Sequence, residues 1–214
     1  MTGDTKELAL RLGLSMAFLT LFAMVAYVIS TGPIAPFDHL VRAGIHRGSS
    51  AALTMLSTGL SLAGSTIVLS TLFVIAMAVL IFLRRRRSAI ALTLVMAGAV
   101  VLDNALKHAF HRVRPEPFFG TAPESFSFPS GHALFSTCLY VASAALFARY
   151  IAGGVQRAAL WIGVGVLVAA IGLSRIYLGI HYPSDVVGGY LTAAFWLCAV
   201  WAAQPFLPAD TTFV

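Results

Sequence analysis

The stretch IVLSTLFVIAMAVLIFLRRRRSAIALTLVMAGAVVLDNALKH, residues 67–108, contains two long apolar runs that are separated by four consecutive arginines. A helix needs about 20 apolar residues to cross a bilayer, and each run approaches that length. A group of arginines between two such runs is typical of a cytoplasmic loop. The stretch therefore predicts two transmembrane helices, with Arg84–Arg87 on the cytoplasmic side of the membrane.

The composition of the whole chain also indicates a membrane protein. Of the 214 residues, 59% are hydrophobic and only 10% are charged, whereas soluble domains carry about 25% charged residues. The net charge of +6 includes the four arginines at positions 84–87. We interpret it as attraction to anionic lipid and expect no nucleic-acid binding. Cys138 and Cys198 both fall inside apolar stretches and are expected to be packing residues rather than a disulfide.

Apolar runs along the rest of the chain predict six membrane spans in a single domain, residues 1–214. The first run is longer than the apolar core of a signal peptide, so we expect it to be an uncleaved transmembrane helix. Residues 49–83 are too long for one ordinary span, and their first part is expected to be a short interfacial helix. Pro36 is expected to keep the loop after the first span irregular. The predicted spans are roughly residues 10–30, 63–83, 88–108, 131–150, 158–178 and 184–204.

The flanking charges predict the orientation of this all-α, polytopic, six-transmembrane-helix bundle. Lys6 and Arg11 accompany the first span, and Arg149 and Arg157 flank the connection between the fourth and fifth spans. Because positive charges concentrate on the cytoplasmic side, we expect both termini to be cytoplasmic. The loops expected to face outward are residues 31–50, 109–130 and 178–184.

Three arginines at the outer end do not follow this charge rule. They are Arg112, Arg114 and Arg175. Cations close to lipid are costly and mark functional sites. Their clustering in one layer is therefore better explained by a shared anionic ligand than by topology.

Lys107 and Arg114 form the first of three polar fragments at this end of the predicted bundle. Two turns of helix would place them on one face, although the chain is expected to leave the helix before Pro115. They are candidate phosphate-binding residues. A pair of cations that extend to the membrane interface is the alternative interpretation.

The second fragment is Pro-Ser-Gly-His at residues 129–132, immediately before an apolar run. Ser130 is a good helix N-cap, and Gly131 lets a ligand approach the backbone closely. The free N–H groups of a first helical turn bind anions, and His132 projects from the same turn. Simple capping with an interfacial histidine is the alternative.

The third fragment contains Arg175 at the end of the fifth predicted span, followed by His181 and Asp185 around the start of the sixth. A carboxylate that bonds one imidazole nitrogen fixes the tautomer and leaves the other nitrogen free as a base or nucleophile. A structural hydrogen bond that closes a tight turn is the alternative. Together, the three fragments supply the cations, N–H donors, nucleophile and acid that phosphoryl transfer requires.

These fragments resemble the three signatures of the type 2 phosphatidic acid phosphatase superfamily, a group of integral-membrane lipid phosphatases. The signatures are lysine, six residues, arginine-proline; then proline-serine-glycine-histidine; then serine-arginine, five residues, histidine, three residues, aspartate. All three occur here in the family's order, within residues 107–185. The six spans exclude the soluble haloperoxidases that share this chemistry.

The resemblance implies a role for each matched residue. His181 is expected to be the nucleophile that forms a phosphohistidine, Asp185 to orient it, and His132 to act as acid and then as base. Phosphate would be held by a further set of residues, for which the resemblance implies neither a metal nor another cofactor. This set is Lys107, Arg114, Ser130, Gly131 and Arg175.

The predicted function is hydrolysis of a terminal phosphate from a membrane lipid at the outer face of a bacterial plasma membrane. Candidate substrates are undecaprenyl pyrophosphate, phosphatidylglycerol phosphate, phosphatidic acid and lipid A phosphates, with the first two favoured by analogy with small bacterial relatives. A lipid phosphotransferase with the same intermediate is one alternative. A non-catalytic lipid-binding or transport protein is another.

Several further polar and aromatic residues lie near these fragments. Asp103, one helical turn before Lys107, is expected to pair with it. His108 and His111 lack a third metal ligand and are expected to have interfacial or substrate-side roles. Glu116 and Glu124 are expected to be solvated. Four phenylalanines are expected to form an interfacial aromatic belt rather than an entry for the lipid chain; they are Phe118, Phe119, Phe126 and Phe128.

Overall fold

The computed structural model of the protein describes residues 3–121 and 123–208, and within these ranges the regular structure is entirely helical. A one-turn 3₁₀ helix, Gln204–Phe206, follows the last α-helix. The α-helices are α1 (Gly3–Thr31), α2 (Ala35–Arg47), α3 (Ala51–Ala63), α4 (Thr66–Phe82), α5 (Arg86–Phe110), α6 (Gly131–Ala148), α7 (Gly154–Tyr177) and α8 (Pro183–Ala203).

Five of these helices are long and apolar enough to cross a membrane, namely α1, α5, α6, α7 and α8. The pair α3 and α4 passes the same test together, although it bends by 42° at its break. Ser65 starts the second helix of the pair, because its hydroxyl accepts a hydrogen bond from the N–H of Val68. The predicted all-helical, multi-pass membrane fold is therefore confirmed, and the break in residues 49–83 lies close to the predicted one. The orientation of the termini stays a prediction.

The expectation of an irregular loop after the first span is wrong. Residues 35–47 form the 13-residue helix α2, with Pro36 in its first turn. Proline is compatible with that position because the first helical N–H groups have no partner inside the helix. This helix contributes two buried charged residues, Asp38 and Arg42.

Helix α6 is central to the packing, because it contacts α5, α7 and α8. One core cluster combines Ala99 of α5, Leu134 and Cys138 of α6, and Ala193 of α8, all with no exposed surface. Cys138 and Cys198 are both free thiols, as expected. The amino-terminal ends of α6 and α8 also meet, since Ser130 donates its backbone N–H to the carbonyl oxygen of Asp185 at 2.9 Å.

The aromatic-belt prediction is wrong for Phe128. Its side chain is fully buried and stacks on Phe22 of α1, with ring centroids 5.6 Å apart. Phe110 packs edge-on against it. Phe128 is therefore a core residue that joins the loop before α6 to α1 and α5.

Candidate active site

One cavity of about 610 Å³ collects most of the predicted site residues from five parts of the chain. Its polar end is lined by Lys107 of α5, Arg114 of the following loop, Gly131 and His132 of α6, Arg175 of α7 and His181 of the turn before α8. The other two predicted residues, Ser130 and Asp185, are fully buried. Asp185 contacts His181 and does not itself line the cavity.

His181 occupies a short turn between α7 and α8 and is almost fully buried. Its Nδ1 atom lies 3.4 Å from Oδ2 of Asp185, and its Nε2 atom lies 2.8 Å from Nη1 of Arg114. A guanidinium can only donate hydrogen bonds, so Nε2 is the acceptor and Nδ1 carries the proton. This tautomer directs the lone pair of Nε2 towards Arg114, which lines the cavity together with His181. A contact of 3.4 Å is long, but catalytic hydrogen bonds often tighten only as the reaction proceeds.

Burial lowers the pKa of His181 to about 4, even though the hydrogen bond and charge of Asp185 act in the opposite direction. The imidazole is therefore neutral near pH 7, which a nitrogen nucleophile requires. Asp185 is the third residue of α8, and its Oδ2 atom also accepts the backbone N–H of Tyr182 at 2.9 Å. The carboxylate is thus attached to the same turn that carries His181.

Arg114 is held by several acceptors besides His181. Nε donates to the carbonyl oxygen of Ser125 at 2.7 Å, Nη2 donates to Phe126, and Nη1 donates to Ile180. Burial lowers the pKa of Arg114, although arginine starts so high that the group remains a cation. Helix α5 ends at Phe110, so Arg114 reaches the cavity from the loop and not from a continued helix face.

Lys107 makes the predicted ion pair with Asp103, with Nζ and Oδ2 2.8 Å apart. Both side chains are largely buried, and both line the cavity. Gly131 lies directly beside them, because a Cβ atom there would be 3.4 Å from Nζ of Lys107 and 3.3 Å from Oδ1 of Asp103. The pair therefore directs the ammonium group to the first turn of α6.

At the start of α6, Ser130 occupies the N-cap position, but the alternative interpretation of simple capping is wrong. The hydroxyl of Ser130 makes no cap hydrogen bond, and its Oγ atom is buried with no protein partner. Arg175 donates from Nη1 to the hydroxyl of Ser61, while its Nε atom is buried and also lacks a protein partner. Buried polar groups normally have partners, and a phosphate group is the kind of ligand that such donors bind.

The ring of His132 faces the α3–α4 break, since a Cβ atom at Gly64 would lie 3.1 Å from its Cδ2.

Sequence reasoning missed a network of buried charged residues that joins Asp185 to helix α2. Arg112 donates from Nη1 to Oδ1 of Asp185 at 2.5 Å and from Nη2 to Oδ2 of Asp38 at 2.7 Å. The expectation that Arg112 shares an anionic ligand with the other outer arginines is therefore wrong, because its partners are carboxylates. The available signal was a lone aspartate in the segment after the first span, but nothing in the sequence connected Asp38 to the signatures.

The remaining polar candidates lie outside the cavity. His108 and His111 are exposed and pack against Phe126. Within residues 3–121 and 123–208, no group of three histidine, cysteine or acidic side chains is arranged to hold a metal ion. Glu116 and Glu124 are exposed, in line with the prediction that they are solvated.

Comparisons with known proteins agree on one family. The model of the PAP2 superfamily matches residues 88–208. Phosphatidylglycerophosphatase B of Bacillus subtilis is 29% identical over 170 residues, which cover 79% of this chain and 84% of that protein. An undecaprenyl-diphosphatase of Sulfolobus acidocaldarius is 30% identical over 123 residues, 54% of this chain and 55% of that protein. A lipid A 1-phosphatase of Rhizobium johnstonii is 36% identical over 113 residues, 48% of this chain and 41% of that protein.

Solved structures show the same fold. The crystal structure of a transmembrane PAP2 type phosphatidylglycerolphosphate phosphatase from Bacillus subtilis aligns with a TM-score of 0.82 and 26% identity. The alignment covers 91% of this chain and 98% of that one. The Aquifex aeolicus LpxE structure aligns with a TM-score of 0.57 at 22% identity over 77% of this chain and 93% of that one, a likeness of fold alone.

Proposed function

The chain belongs to the PAP2 superfamily, and from this premise we propose that it is a lipid phosphatase that removes a terminal phosphate group through a phosphohistidine on His181. The observation that carries the proposal is the form of the cavity. Its polar end holds three cations and two histidines, and its remaining walls are mostly apolar. The apolar walls are formed by Leu69 and Phe73 of α4, Met96 and Val100 of α5, and Phe135 of α6.

This form suits a lipid with a phosphorylated head group. The phosphate would bind among the cations while the chain lies along α5, a candidate membrane span, and along α4, which qualifies as one together with α3. Burial of apolar surface stabilises the bound tail, and the charge-assisted hydrogen bonds select the head group. A water-soluble phosphate ester would leave the apolar walls of this cavity unfilled.

In the first proposed step, Nε2 of His181 attacks phosphorus and the bond from phosphorus to the leaving oxygen breaks. His132 donates its proton to that oxygen, so the dephosphorylated lipid leaves as an alcohol or, from a pyrophosphate, as a monophosphate. The N–H on Nδ1 of His181 remains bonded to Asp185, whose negative charge stabilises the imidazole ring as it becomes positive.

In the second proposed step, His132 is unprotonated and takes a proton from water. The hydroxide oxygen attacks phosphorus, the N–P bond breaks, and inorganic phosphate leaves. General acid and base catalysis of this kind contributes about 10²–10⁴-fold to the rate. His132 ends the cycle protonated and ready for the next substrate.

The three cations stabilise the charge on the equatorial oxygens of the transferring phosphoryl group. Lys107, Arg114 and Arg175 approach from different elements, with the backbone N–H groups of the first turn of α6 beside them. We infer that this arrangement takes the part that a magnesium ion plays in other phosphoryl-transfer enzymes. The reaction is therefore expected to be independent of added metal.

The active site is proposed to open at the outer face of a bacterial plasma membrane. Helix α5 begins at Arg86, within the four-arginine cluster, and reaches Lys107 about 30 Å further along its axis. The cluster and the polar end of the cavity thus belong to opposite ends of one membrane-spanning helix. The positive-inside rule assigns the arginine end to the cytoplasm.

The experiment is a phosphate-release assay with purified protein in detergent micelles. The four substrates are phosphatidylglycerol phosphate, undecaprenyl pyrophosphate, phosphatidic acid and lipid A phosphates. Similarity to phosphatidylglycerophosphatase B gives the first of these priority. The wild type is expected to release phosphate from at least one lipid, with full activity in excess chelator.

Two histidine variants provide the matched comparison. His181→Ala is expected to lose at least about 1,000-fold in turnover, because it removes the proposed nucleophile. His108→Ala is expected to retain wild-type activity, since His108 is exposed and outside the cavity. Phosphate release that survives His181→Ala, or that requires added Mg²⁺, would contradict the mechanism. Phosphate transfer to a lipid acceptor without release of free phosphate would instead identify a phosphotransferase.

A further inference from the structure

We propose that Arg112 and Asp38 are positioning residues that fix the carboxylate of Asp185 against the His181 imidazole. The proposal rests on the proposed function, because it concerns the geometry of the same nucleophile. It assigns a part in catalysis to helix α2, which lies outside the three sequence signatures.

The contacts form a continuous chain from α2 to the nucleophile. Asp38 and Asp185 are both fully buried, and Arg112 bridges them with one nitrogen on each carboxylate, at 2.7 and 2.5 Å. Asp185 in turn contacts Nδ1 of His181. The guanidinium of Arg112 also lies over the ring of Tyr182, with its central carbon 4.4 Å from the ring centroid.

Arg112 is suited to position a carboxylate rather than to bind substrate. Its described hydrogen bonds go to Asp38, Asp185 and the hydroxyl of Ser184, and it does not line the cavity. The cations that line the cavity are Lys107, Arg114 and Arg175. An arginine has a rigid fork of donors, so it can hold two acceptors at a fixed separation, which a lysine does less well.

The position of the Asp185 carboxylate depends on both of its oxygens. Oδ2 is fixed by the backbone N–H of Tyr182, and Oδ1 is fixed by Arg112. Without Arg112, the carboxylate would keep one restraint and could turn about its side-chain bonds away from Nδ1. Two buried carboxylates would also lose the cation between them, which is strongly unfavourable.

Asp38 anchors Arg112 and the start of α8 at the same time. Its Oδ1 atom accepts the backbone N–H of Ser184 at 3.0 Å, and its Oδ2 atom accepts the hydroxyl of Ser184 at 2.5 Å. A carboxylate is favourable at this place because the first turn of a helix has free N–H groups and a positive dipole. One turn further along α2, Arg42 donates to the carbonyl oxygens of Gly179 and Glu116. Helix α2 therefore restrains both segments that flank the nucleophile.

The test measures kcat and KM for four variants with whichever of the four named lipids the wild type hydrolyses fastest. Arg112→Met is expected to lower kcat about 100-fold, the loss that a misplacement of about 1 Å produces. Its KM should stay within about threefold, because the phosphate-binding cations are unchanged. Arg112→Lys should recover part of the loss, and Asp38→Asn should lower kcat about 10-fold by loosening Arg112.

The double variant Asp38→Asn/Arg112→Met is the decisive comparison. If Asp38 acts through Arg112, the double variant should lose no more turnover than Arg112→Met alone, whereas independent effects would multiply. Arg47→Met, an exposed arginine on the same helix, is the matched control and should behave as the wild type. Thermal denaturation in detergent identifies any variant that fails to fold. If Arg112→Met does not fold, the proposal is tested by the kcat values of the milder variants Arg112→Lys and Asp38→Asn.

Three results would overturn the proposal. Unchanged kcat with a lower melting temperature would make the network purely structural, and a raised KM with unchanged kcat would make Arg112 a substrate ligand. Multiplicative losses of kcat in the double variant would show that Asp38 does not act through Arg112. In each of these cases the proposed function stands, because the wild type still releases phosphate. A wild type inactive on all four lipids would instead refute the proposed function itself.

Discussion

The contact between the start of α6 and the second turn of α8 makes Gly189 a sensitive probe of the candidate site. A Cβ atom at Gly189 would lie 2.6 Å from the carbonyl oxygen of Ser130 and 2.9 Å from Cβ of Ala133. An ordinary carbon–oxygen contact is about 3.3 Å, so the Gly189→Ala methyl group is about 0.7 Å too close. The obstructing oxygen belongs to the backbone, so a side-chain rotation cannot relieve the clash.

The helices must therefore separate, and the first turn of α6 carries His132 and Gly131. A displacement of about 0.7 Å between His132 and His181 is expected to lower kcat roughly 10- to 100-fold. Overpacking at a buried helix contact also costs about 1–3 kcal/mol of stability. Turnover and stability should therefore fall together in this variant.

Gly163→Ala in α7 is the matched control, because a Cβ atom there meets nothing within 4 Å. It should leave kcat unchanged and stabilise the helix slightly, since alanine is the better helix former. The assay is phosphate release per folded protein, together with thermal denaturation in the same detergent. Wild-type turnover and melting temperature in Gly189→Ala would refute the idea that the α6–α8 contact sets the distance between the two histidines.

Two further predictions concern the acidic residues of the site. Asp103→Asn should lower kcat/KM about 10-fold, because Lys107 loses the carboxylate that directs it towards Gly131; unchanged phosphate release would show that the pair is not needed. Burial lowers the pKa of His181 to about 4, so activity should be present above that pH and lost below it as the nucleophile is protonated. Asp185→Asn removes a group that raises this pKa, and the acid limb of kcat/KM should move to lower pH while kcat falls. A limb that moves to higher pH, measured from about pH 3 to 8, would contradict the proposed pairing.

Much of the fold could be predicted because membrane spans are determined by local composition. The apolar runs predicted six spans, of which five helices qualify alone and the sixth is the bent pair of α3 and α4. An interruption within residues 49–83 was expected from the length of that segment and its two glycines. Helix α2 could not be predicted, because Pro36 was interpreted as a helix breaker when it lies in a first turn. A proline that breaks a helix and a proline in the first turn of a helix look the same in the sequence, unless the start of the helix is known.

The cavity residues could also be predicted, since each signature joins a charged residue to the end of a span. The residues that hold the cavity residues in place could not be predicted. Asp38 and Asp185 are brought together by the packing of α2 on α8, and no local pattern reports that contact. The same limit explains the misinterpretation of Arg112. Its position in the sequence, next to the phosphate-binding signature, suggested a phosphate ligand, but in the structure it bridges two carboxylates.

The charges that line the cavity explain why a terminal phosphate group would be preferred over the phosphodiesters that fill a membrane. Lys107, Arg114 and Arg175 are cations, and Asp103 is the one carboxylate that accompanies them in the lining. Arg114 and Arg175 are held by neutral acceptors, so their charge is not cancelled locally. With His181 neutral, the three cations and Asp103 leave two net positive charges before the proton on His132 is counted, enough to balance the charge of about −2 on a phosphate monoester near neutral pH. A diester head group carries only half of that charge and lacks the third free oxygen. Cations fixed in a partly buried cavity therefore favour the monoester, even though diesters are far more abundant in the surrounding bilayer.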